Sequence, residues 1–236
     1  MRLTVVIPTL DEAGSIGRVL EDIPASLEAE VLVVDGGSID GTRDLAASRG
    51  ARVILEPRRG YGRACLTGLE RASNPEVVVF LDGDYSDRPG EMPRLLEPIR
   101  NGTADVVLGS RLKGGLVAGA MPWHQVLGNR LGAALIHALY GVPLSDLGPF
   151  RAARYDVLRA MGLRAPTYGW AVELPTRAAR QGYRVAEVPV SYHPRIGVSK
   201  ISGTVRGSLG AAWYILTGIL VNRFRAEPRE RGAGGP

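Results

Sequence analysis

Short apolar runs rich in β-branched residues alternate with longer amphipathic stretches through the first half of the chain. Five runs have the length and composition of buried strands, at residues 3–8, 31–35, 52–55, 77–82 and 105–108. Helical spacing of apolar residues recurs between them, at residues 12–23, 40–48 and 61–72. Repeated β–α units of this length predict a Rossmann-like α/β fold, in which helices flank a mostly parallel central sheet. Ligands of such sheets bind at the carboxyl ends of the strands.

The second half of the chain follows a different pattern. Longer helices are predicted at residues 123–140 and 168–181, with one further strand at 183–190. We therefore expect three parts, namely an α/β domain, a C-terminal amphipathic or interfacial helix and a flexible tail, at residues 1–203, 204–225 and 226–236. The tail is assigned on its glycine, proline and arginine content and its lack of apolar periodicity.

Composition excludes several classes of protein. The 236 residues are 45% hydrophobic and 22% charged, which rules out a disordered or collagen-like chain. The single cysteine cannot form an intrachain disulfide, and three scattered histidines do not have the spacing of a zinc cluster. The apolar N-terminal stretch is too short for a signal peptide, and the longest uncharged run, 207–222, is shorter than the roughly 20 residues that span a bilayer. These features predict a cytoplasmic protein.

Charge is distributed unevenly along the chain. From Arg177 to the end the net charge is +7, whereas the first 176 residues carry −2. This separation argues against a protein that coats nucleic acid, and no nucleic-acid partner is expected. It predicts instead that the C-terminal part meets phosphate or an anionic membrane surface.

Acidic and glycine-rich segments follow three of the predicted strands. They read PTLDE at residues 8–12, DGGSIDGT at 35–42 and DGD at 82–84. Because parallel strands bring their carboxyl ends to one edge of the sheet, we expect these segments to converge. For the second segment, a strand-to-helix turn capped by Ser38 or Asp40 is an equally good interpretation.

Asp82 and Asp84 lie at the end of a buried strand, with Gly83 leaving room beside them. Such a pair suits a hard divalent cation, Mg²⁺ or Mn²⁺, that is completed by water and substrate phosphates. A solvated turn is the alternative for an isolated Asp-x-Asp. The spacing does not fit a calcium-binding loop, and the chain contains neither a Walker A motif nor GxGxxG.

Six ordered segments, VVIPTLDEAGSI, VLVVDGGSIDGT, FLDGDYSDRP, VVLGSR, DLGPFRAARYDVL and EVPVSYHPRIGVSK, carry a resemblance that runs from about residue 3 to 203. Together they resemble the family 2 glycosyltransferases, in the dolichyl-phosphate or polyprenyl-phosphate mannose synthase branch. The resemblance implies a GT-A fold, a metal-bound nucleoside diphosphate sugar as donor (GDP- or UDP-sugar), and inversion at the anomeric carbon.

Carried over position by position, the resemblance implies a donor site and a set of catalytic residues. The donor-binding residues are Pro8, Thr9, Leu10, Glu12, Asp35, Gly36, Ser38, Arg63, Asp82, Gly83, Arg195, Ser199 and Lys200. The catalytic candidates are Asp84, Arg111, Asp146 and Arg151, and the metal ligands are Asp82 and Asp84. The chain departs from the branch at three positions, since Gly36 replaces a second acidic residue, Ser86 replaces a glutamine and Pro149 replaces a glycine.

Physical chemistry gives these residues a rationale, and for each an alternative. Departure of a nucleoside diphosphate builds negative charge, which a metal and fixed cations stabilise. Taken singly, Arg111 and Arg195 each fit a solvated surface role better, whereas Arg151 is favoured as a functional residue. Phe150 fits core packing as well as it fits the lining of the site, and Glu173 is favourable at a helix N-terminus on dipole grounds alone.

The acceptor decides whether a general base is needed. A polyprenyl phosphate is already ionised and needs none, whereas an alcohol acceptor needs one, for which Asp146 and Glu173 are the candidates. The uncharged run 207–222 with Arg206, Arg223 and Arg225 around it predicts an interfacial helix at the inner face of the cell membrane; packing on the domain or in a homodimer is the alternative.

The predicted function is transfer of a hexose, mannose or glucose, to a polyprenyl or dolichyl phosphate. The alternative is a GT-A transferase with a soluble or cell-envelope sugar acceptor. A sugar-nucleotide pyrophosphorylase is disfavoured because PTLDEAGS is not its glycine-rich loop, and a catalytically silent module is disfavoured because both metal carboxylates remain.

Overall fold

The computed structural model describes residues 1–197 and 217–223. Seven strands in these ranges form one sheet: β1 (Leu3–Thr9), β2 (Glu30–Asp35), β3 (Arg52–Leu55), β4 (Val77–Phe80), β5 (Val106–Ser110), β6 (Arg151–Arg154) and β7 (Val185–Pro189). Their order is β3-β2-β1-β4-β6-β5-β7. Only β6 runs antiparallel to its neighbours, and the other pairs are parallel. The predicted α/β fold with a mostly parallel central sheet is confirmed.

The helices are α1 (Ile16–Glu21), α2 (Thr42–Ser48), α3 (Tyr61–Arg71), α4 (Met92–Arg100), α5 (Arg111–Gly114), α6 (Trp123–Tyr140), α7 (Tyr155–Met161) and α8 (Trp170–Arg180). They cover both faces of the sheet. Alternate residues of the central strands therefore enter two separate cores, so that Val6 packs with α3 and α8 whereas Val5 and Ile7 pack with α1 and α4. Burial on both faces explains why these strands read as continuous apolar runs.

Three elements escape the sequence patterns. β6 has the sequence RAAR, which shows no strand alternation, yet it is hydrogen-bonded between β4 and β5 with its two alanines fully buried. Helix α4 contains Pro93 near its start and Pro98 inside it, which hides its apolar face of Met92, Leu95 and Leu96. Helix α7 begins at Tyr155, immediately after β6 ends, and was not predicted either.

The described end of the chain, residues 217–223, is helical and packs on the domain. The Tyr140 hydroxyl donates to the carbonyl of Ile219, and the Arg180 guanidinium donates to that of Asn222. Ile219 is fully buried, whereas Leu220 and Val221 are exposed. The rest of the predicted C-terminal helix and the predicted tail, together with Ser199, Lys200, Arg206 and Arg225, lie outside the described residues. No helix in the described ranges is both long and apolar enough to cross a membrane.

Candidate functional site

A cavity of about 310 Å³ opens at the carboxyl ends of β1, β2, β3 and β4. Nine of the residues that the sequence nominated line it: Pro8, Thr9, Leu10, Glu12, Gly36, Asp82, Gly83, Asp84 and Arg195. The acidic strand ends therefore meet, as the parallel arrangement requires. Gly83 permits their close approach, because a Cβ at this position would lie 2.8 Å from the Thr9 side chain.

Asp82 and Asp84 follow β4 and face the cavity. The Asp82 Oδ1 atom is buried without a hydrogen-bond partner among the described residues. Burial, together with the neighbouring carboxylate of Asp84, raises the pKa of Asp82 to about 7. An orphaned carboxylate oxygen beside a second carboxylate suits Mg²⁺ or Mn²⁺, which would complete its oxygen ligands with water and phosphate. The residues present therefore fit the predicted metal.

Arg195 crosses the cavity from the loop that follows β7. Its guanidinium lies 2.9 Å from Glu12 Oε1 and 3.3 Å from Asp84 Oδ2. The loop is held to the Asp-Gly-Asp segment by backbone bonds, in which the amide of Ile196 donates to the carbonyl of Asp84 and that of His193 to the carbonyl of Ser86. The tertiary fold thus places a fixed cation next to the candidate metal ligands.

Asp35 and Ser38 take a structural role. Asp35 is fully buried and accepts hydrogen bonds from the hydroxyls of Thr9 and Ser38 and from the amides of Gly37 and Ser38. Neither side chain lines the cavity, although Gly36 between them does. Asp40, rather than Ser38, accepts from the Thr42 amide at the start of α2. The turn interpretation of this segment describes its contacts, and of residues 35–42 only Gly36 lines the cavity.

The basic residues of the cavity include two that the sequence analysis missed. Arg58 and Arg59 line the cavity, whereas the nominated Arg63 does not. Arg58 donates two hydrogen bonds of 2.7 Å to Glu56, which lowers the pKa of that carboxyl to about 2. Both arginines follow β3 directly, so the strand-end rule that located the acidic segments also locates them. Tyr61 and Tyr168 complete this wall.

Arg111 and Asp146 form a buried ion pair, and neither residue lines the cavity. The Arg111 side chain donates to both carboxylate oxygens, Nε to Oδ2 at 2.7 Å and Nη2 to Oδ1 at 2.8 Å. The amides of Arg111 and Leu147 also donate to Asp146. Burial alone would raise the pKa of Asp146, but Arg111 outweighs it and the pKa is lowered. A carboxylate so engaged is a poor general base.

Arg151, nominated as catalytic, is also a buried residue outside the cavity lining. Its guanidinium donates to the carbonyls of Gly148, Leu147 and Ala171 and lies 5.8 Å from the centre of the Trp170 ring. Burial lowers the pKa of Arg151. It therefore supports the loop behind the site, and Phe150 beside it is a fully buried core residue.

Glu173 is likewise engaged in the interior. Its carboxylate accepts hydrogen bonds from the amides of Arg164 and Ala165 and from the Arg177 side chain. It does not line the cavity.

Asp87, which the sequence analysis did not single out, is 1% exposed, and both its carboxylate oxygens lack partners among the described residues. Burial and the charge of Asp82 raise the pKa of Asp87.

Comparison with known proteins agrees with this geometry. The model of glycosyl transferase family 2 matches residues 4–162. An uncharacterized glycosyltransferase of Mycobacterium tuberculosis (strain H37Rv) is 41% identical over 220 residues, which cover 91% of this chain and 98% of that protein. The undecaprenyl-phosphate mannosyltransferase of Micrococcus luteus is 37% identical over 226 residues, which cover 88% of this chain and 90% of that protein.

A solved structure shares the fold over almost the whole chain. The glucosyl-3-phosphoglycerate synthase of Mycobacterium tuberculosis, in complex with Mn²⁺, UDP-glucose and phosphoglyceric acid, matches with a TM-score of 0.73 and 25% identity. The match covers 96% of this chain and 81% of that one. With the metal-type carboxylates at the carboxyl edge of its sheet, the chain has the GT-A fold and belongs to glycosyl transferase family 2, as a hexosyltransferase of the branch that includes the polyprenyl-phosphate mannose synthases.

Proposed function

We propose that this protein transfers a hexose from a GDP- or UDP-sugar to a polyprenyl phosphate, with inversion at the anomeric carbon. The observation that carries the proposal is the position of Asp82 and Asp84 in the cavity, with Arg195 3.3 Å from the second carboxylate. A site that pairs metal-type carboxylates with a fixed cation is suited to a departing diphosphate.

The residues of the chain have separate tasks in this reaction. Asp82 and Asp84 would hold Mg²⁺ or Mn²⁺, which neutralises negative charge on the diphosphate when bound. Arg195, Arg58 and Arg59 also line the cavity as cations, the first paired with Glu12 and the second with Glu56. The acceptor oxygen forms its bond to the anomeric carbon on the face opposite the diphosphate, and the bonding electrons of the broken C–O bond leave on the diphosphate oxygen.

An ionised acceptor suits the arrangement of the acidic side chains. Both general-base candidates, Asp146 and Glu173, are committed to arginines and backbone amides away from the cavity. A lipid phosphate needs no base, because its attacking oxygen carries no proton at neutral pH. The Micrococcus luteus relative, an undecaprenyl-phosphate mannosyltransferase, is named for this class of acceptor. Action on it would place the enzyme at the inner face of the cell membrane.

A soluble acceptor is the second candidate. The matched solved structure binds phosphoglyceric acid together with UDP-glucose and Mn²⁺. A small phosphorylated acid would present its anionic group to the same set of arginines. A lipid phosphate would attack with a phosphate oxygen and give a lipid-soluble product. A small phosphorylated acid would attack with a hydroxyl and give a water-soluble product, so the solubility of the product distinguishes the two candidates.

The direct test is a transfer assay with radiolabelled donors. Purified protein is incubated with GDP-mannose, GDP-glucose, UDP-glucose or UDP-mannose, with undecaprenyl phosphate in detergent and Mg²⁺ or Mn²⁺, and label is counted in the organic phase. We expect metal-dependent transfer from one donor, which chelation abolishes. A parallel reaction with phosphoglyceric acid and separation of water-soluble products tests the second candidate. Label only in the aqueous product would contradict the lipid acceptor.

A further inference from the structure

The wall of the cavity contains a tyrosine whose hydroxyl has no partner. Tyr61 is the first residue of α3, and it lines the cavity. Its hydroxyl oxygen is buried and makes no hydrogen bond among the described residues. A phenylalanine would fill the same space without leaving a buried polar atom unsatisfied, and such an atom costs free energy. The hydroxyl therefore needs an explanation other than packing.

The backbone and the ring of Tyr61 are held in place by the loop before α8. A Cβ at Gly60 would lie 2.2 Å from the carbonyl oxygen of Pro166, so glycine is what lets this loop come so close. The amide of Arg63 donates to the same carbonyl at 2.9 Å. The Tyr61 ring meets the Trp170 ring edge-on, with the centroids 6.4 Å apart and the planes at 72°. These contacts fix the position from which the hydroxyl acts.

The acceptor that the hydroxyl lacks is beside it. Asp82 lines the same cavity, and its Oδ1 atom is also buried without a hydrogen-bond partner among the described residues. Burial and the charge of Asp82 raise the pKa of Tyr61. Burial and the charge of Asp84 raise the pKa of Asp82 to about 7, and the Tyr61 hydroxyl opposes that rise. The two side chains are therefore neighbours, one with an unused donor and the other with an unused acceptor.

Cys65 is the other group near the hydroxyl. It lies four residues further along α3 and is fully buried. A thiol sulfur is a weak acceptor, whereas hydrogen bonds to an ionised carboxylate are about twice as strong as those between neutral groups. The Tyr61 hydroxyl is therefore better suited to Asp82 than to Cys65.

Asp84, the second candidate metal ligand, already has the support that Asp82 lacks. The amide and the hydroxyl of Ser86 donate to Asp84 Oδ1 at 2.9 and 2.6 Å. Hydrogen bonds of this kind orient a ligand for its metal, and their loss typically costs about 10–100-fold in metal affinity. Nothing in the described part of the chain donates to Asp82 Oδ1. Tyr61 is placed to supply the corresponding bond.

We propose that Tyr61 is a positioning residue for the candidate metal ligand Asp82, whose carboxylate its hydroxyl holds by a hydrogen bond when the divalent cation is bound. The inference rests on the metal site of the proposed function. The two oxygens of a carboxylate offer about four lone-pair sites, so Asp82 can accept from Tyr61 and bind Mg²⁺ or Mn²⁺ at the same time.

Manganese binding by the full chain tests the proposal. The test variant is Tyr61→Phe, which removes the hydroxyl and keeps the ring against Trp170. The matched control is Tyr155→Phe. Tyr155 packs against the same core, but it follows β6 directly, at the sheet edge opposite the cavity. Free Mn²⁺ is measured by its electron paramagnetic resonance signal, without nucleotide and with an excess of GDP or UDP, and the Tm is measured with and without Mn²⁺.

We expect Tyr61→Phe to bind Mn²⁺ about tenfold more weakly than the wild type and the control, or weaker still. Its Tm without metal should stay unchanged, and added Mn²⁺ should raise its Tm less than that of the wild type. Equal Mn²⁺ affinity in Tyr61→Phe and the wild type overturns the proposal. A lower Tm of the metal-free variant also overturns it, because the hydroxyl would then belong to the packing.

Cys65→Ala distinguishes the two neighbours of the hydroxyl. We expect this variant to keep the Mn²⁺ affinity of the wild type, because the thiol takes no part in holding Asp82. If Cys65→Ala weakens Mn²⁺ binding as much as Tyr61→Phe does, the hydroxyl acts through the thiol and the proposal is overturned.

The transfer assay separates this inference from the proposed function. Half-maximal activation of Tyr61→Phe should need about tenfold more Mn²⁺ than that of the wild type, and its loss of rate should diminish as Mn²⁺ is raised. Activation of both proteins at the same Mn²⁺ concentration overturns the positioning role and leaves the function standing. Weakened Mn²⁺ binding by Tyr61→Phe, in a protein that transfers no hexose to undecaprenyl phosphate or phosphoglyceric acid, removes the proposed function and leaves the role of Tyr61 standing.

Discussion

Arg111 and Asp146 form a bidentate ion pair in which the Asp146 side chain is fully buried and the Arg111 side chain is 9% exposed. The pair joins the end of β5 to the segment that leads into β6, and so fixes both ends of the chain segment 111–146 that contains α6. The Arg111 guanidinium also lies 4.8 Å from the centre of the Tyr192 ring, on the loop that delivers Arg195. One buried contact thus supports both the loop that carries Arg195 and the segment that contains α6.

Asp146→Asn should destabilise the protein by about 2–4 kcal/mol, because it leaves the Arg111 charge buried without its carboxylate. Urea unfolding at pH 7 measures the difference. The pair lowers the pKa of Asp146 below 3.8, so its stabilisation is complete above about pH 5 and is lost as the pH falls through the lowered value. The difference in the free energy of unfolding between the wild type and Asp146→Asn should therefore become smaller at acidic pH. Asp156→Asn, which breaks an exposed pair with Arg154, should cost under about 1 kcal/mol; an equal loss in both variants would contradict the argument.

Asp82→Asn should abolish metal-dependent transfer and yet stabilise the metal-free protein. The raised pKa of about 7 means that ionised Asp82 opposes folding, at a cost that grows from pH 3.8 to 7 and is constant above. We expect the variant to gain on the order of 1–3 kcal/mol at pH 8 and nothing near pH 4. Urea unfolding at both pH values checks this.

Added Mn²⁺ gives an independent readout on the same variant. It should raise the Tm of the wild type but not that of Asp82→Asn, because only a ligand that binds the native state stabilises it. A variant that is less stable than the wild type at pH 8, or that responds equally to Mn²⁺, would argue against a metal site at these carboxylates.

Arg195→Ala should weaken binding of GDP or UDP in the presence of Mn²⁺ by about 10–100-fold, since it removes a charge-assisted contact to phosphate. Isothermal titration calorimetry gives the dissociation constant directly. Arg154→Ala is the matched control. Arg154 pairs with Val77 at the amino end of β4, at the sheet edge opposite the cavity, and its side chain contacts Asp105 and Asp156. Unchanged affinity in Arg195→Ala would remove this arginine from the donor site.

Two glycine substitutions should have opposite effects on stability. A Cβ at Gly62 would lie 2.1 Å from the Ala165 carbonyl oxygen, so Gly62→Ala must displace backbone and should cost about 1–3 kcal/mol. Nothing lies within 4 Å of a Cβ at Gly128, inside α6, where alanine should stabilise by about 0.5–1 kcal/mol. Chemical denaturation of both variants checks the pair. Because Tyr61 and Gly60 line the cavity, Gly62→Ala should also weaken donor binding.

The sequence alone determined the class of fold and which residues lie at the ends of the strands. The continuous apolar runs of β1 and β4 indicate strands that are buried on both faces of the sheet. Because these strands are parallel, the segments that follow them lie at the same edge of the sheet. This local rule located Asp82, Asp84 and Glu12, and applied to β3 it would also have found Arg58 in place of Arg63. Local patterns did not find β6, whose RAAR sequence becomes a strand only because β4 and β5 supply its hydrogen bonds.

The tertiary structure decided which charged residues line the cavity and which are buried in the loops around it. Arg111, Arg151 and Arg195 look alike in sequence, but in the fold Arg111 and Arg151 bond to Asp146 and to backbone carbonyls, and neither lines the cavity. Arg195 instead spans the cavity between Glu12 and Asp84. The exposure of Trp123 was decided in the same way, because a helix has two sides and only packing determines which of them the core covers.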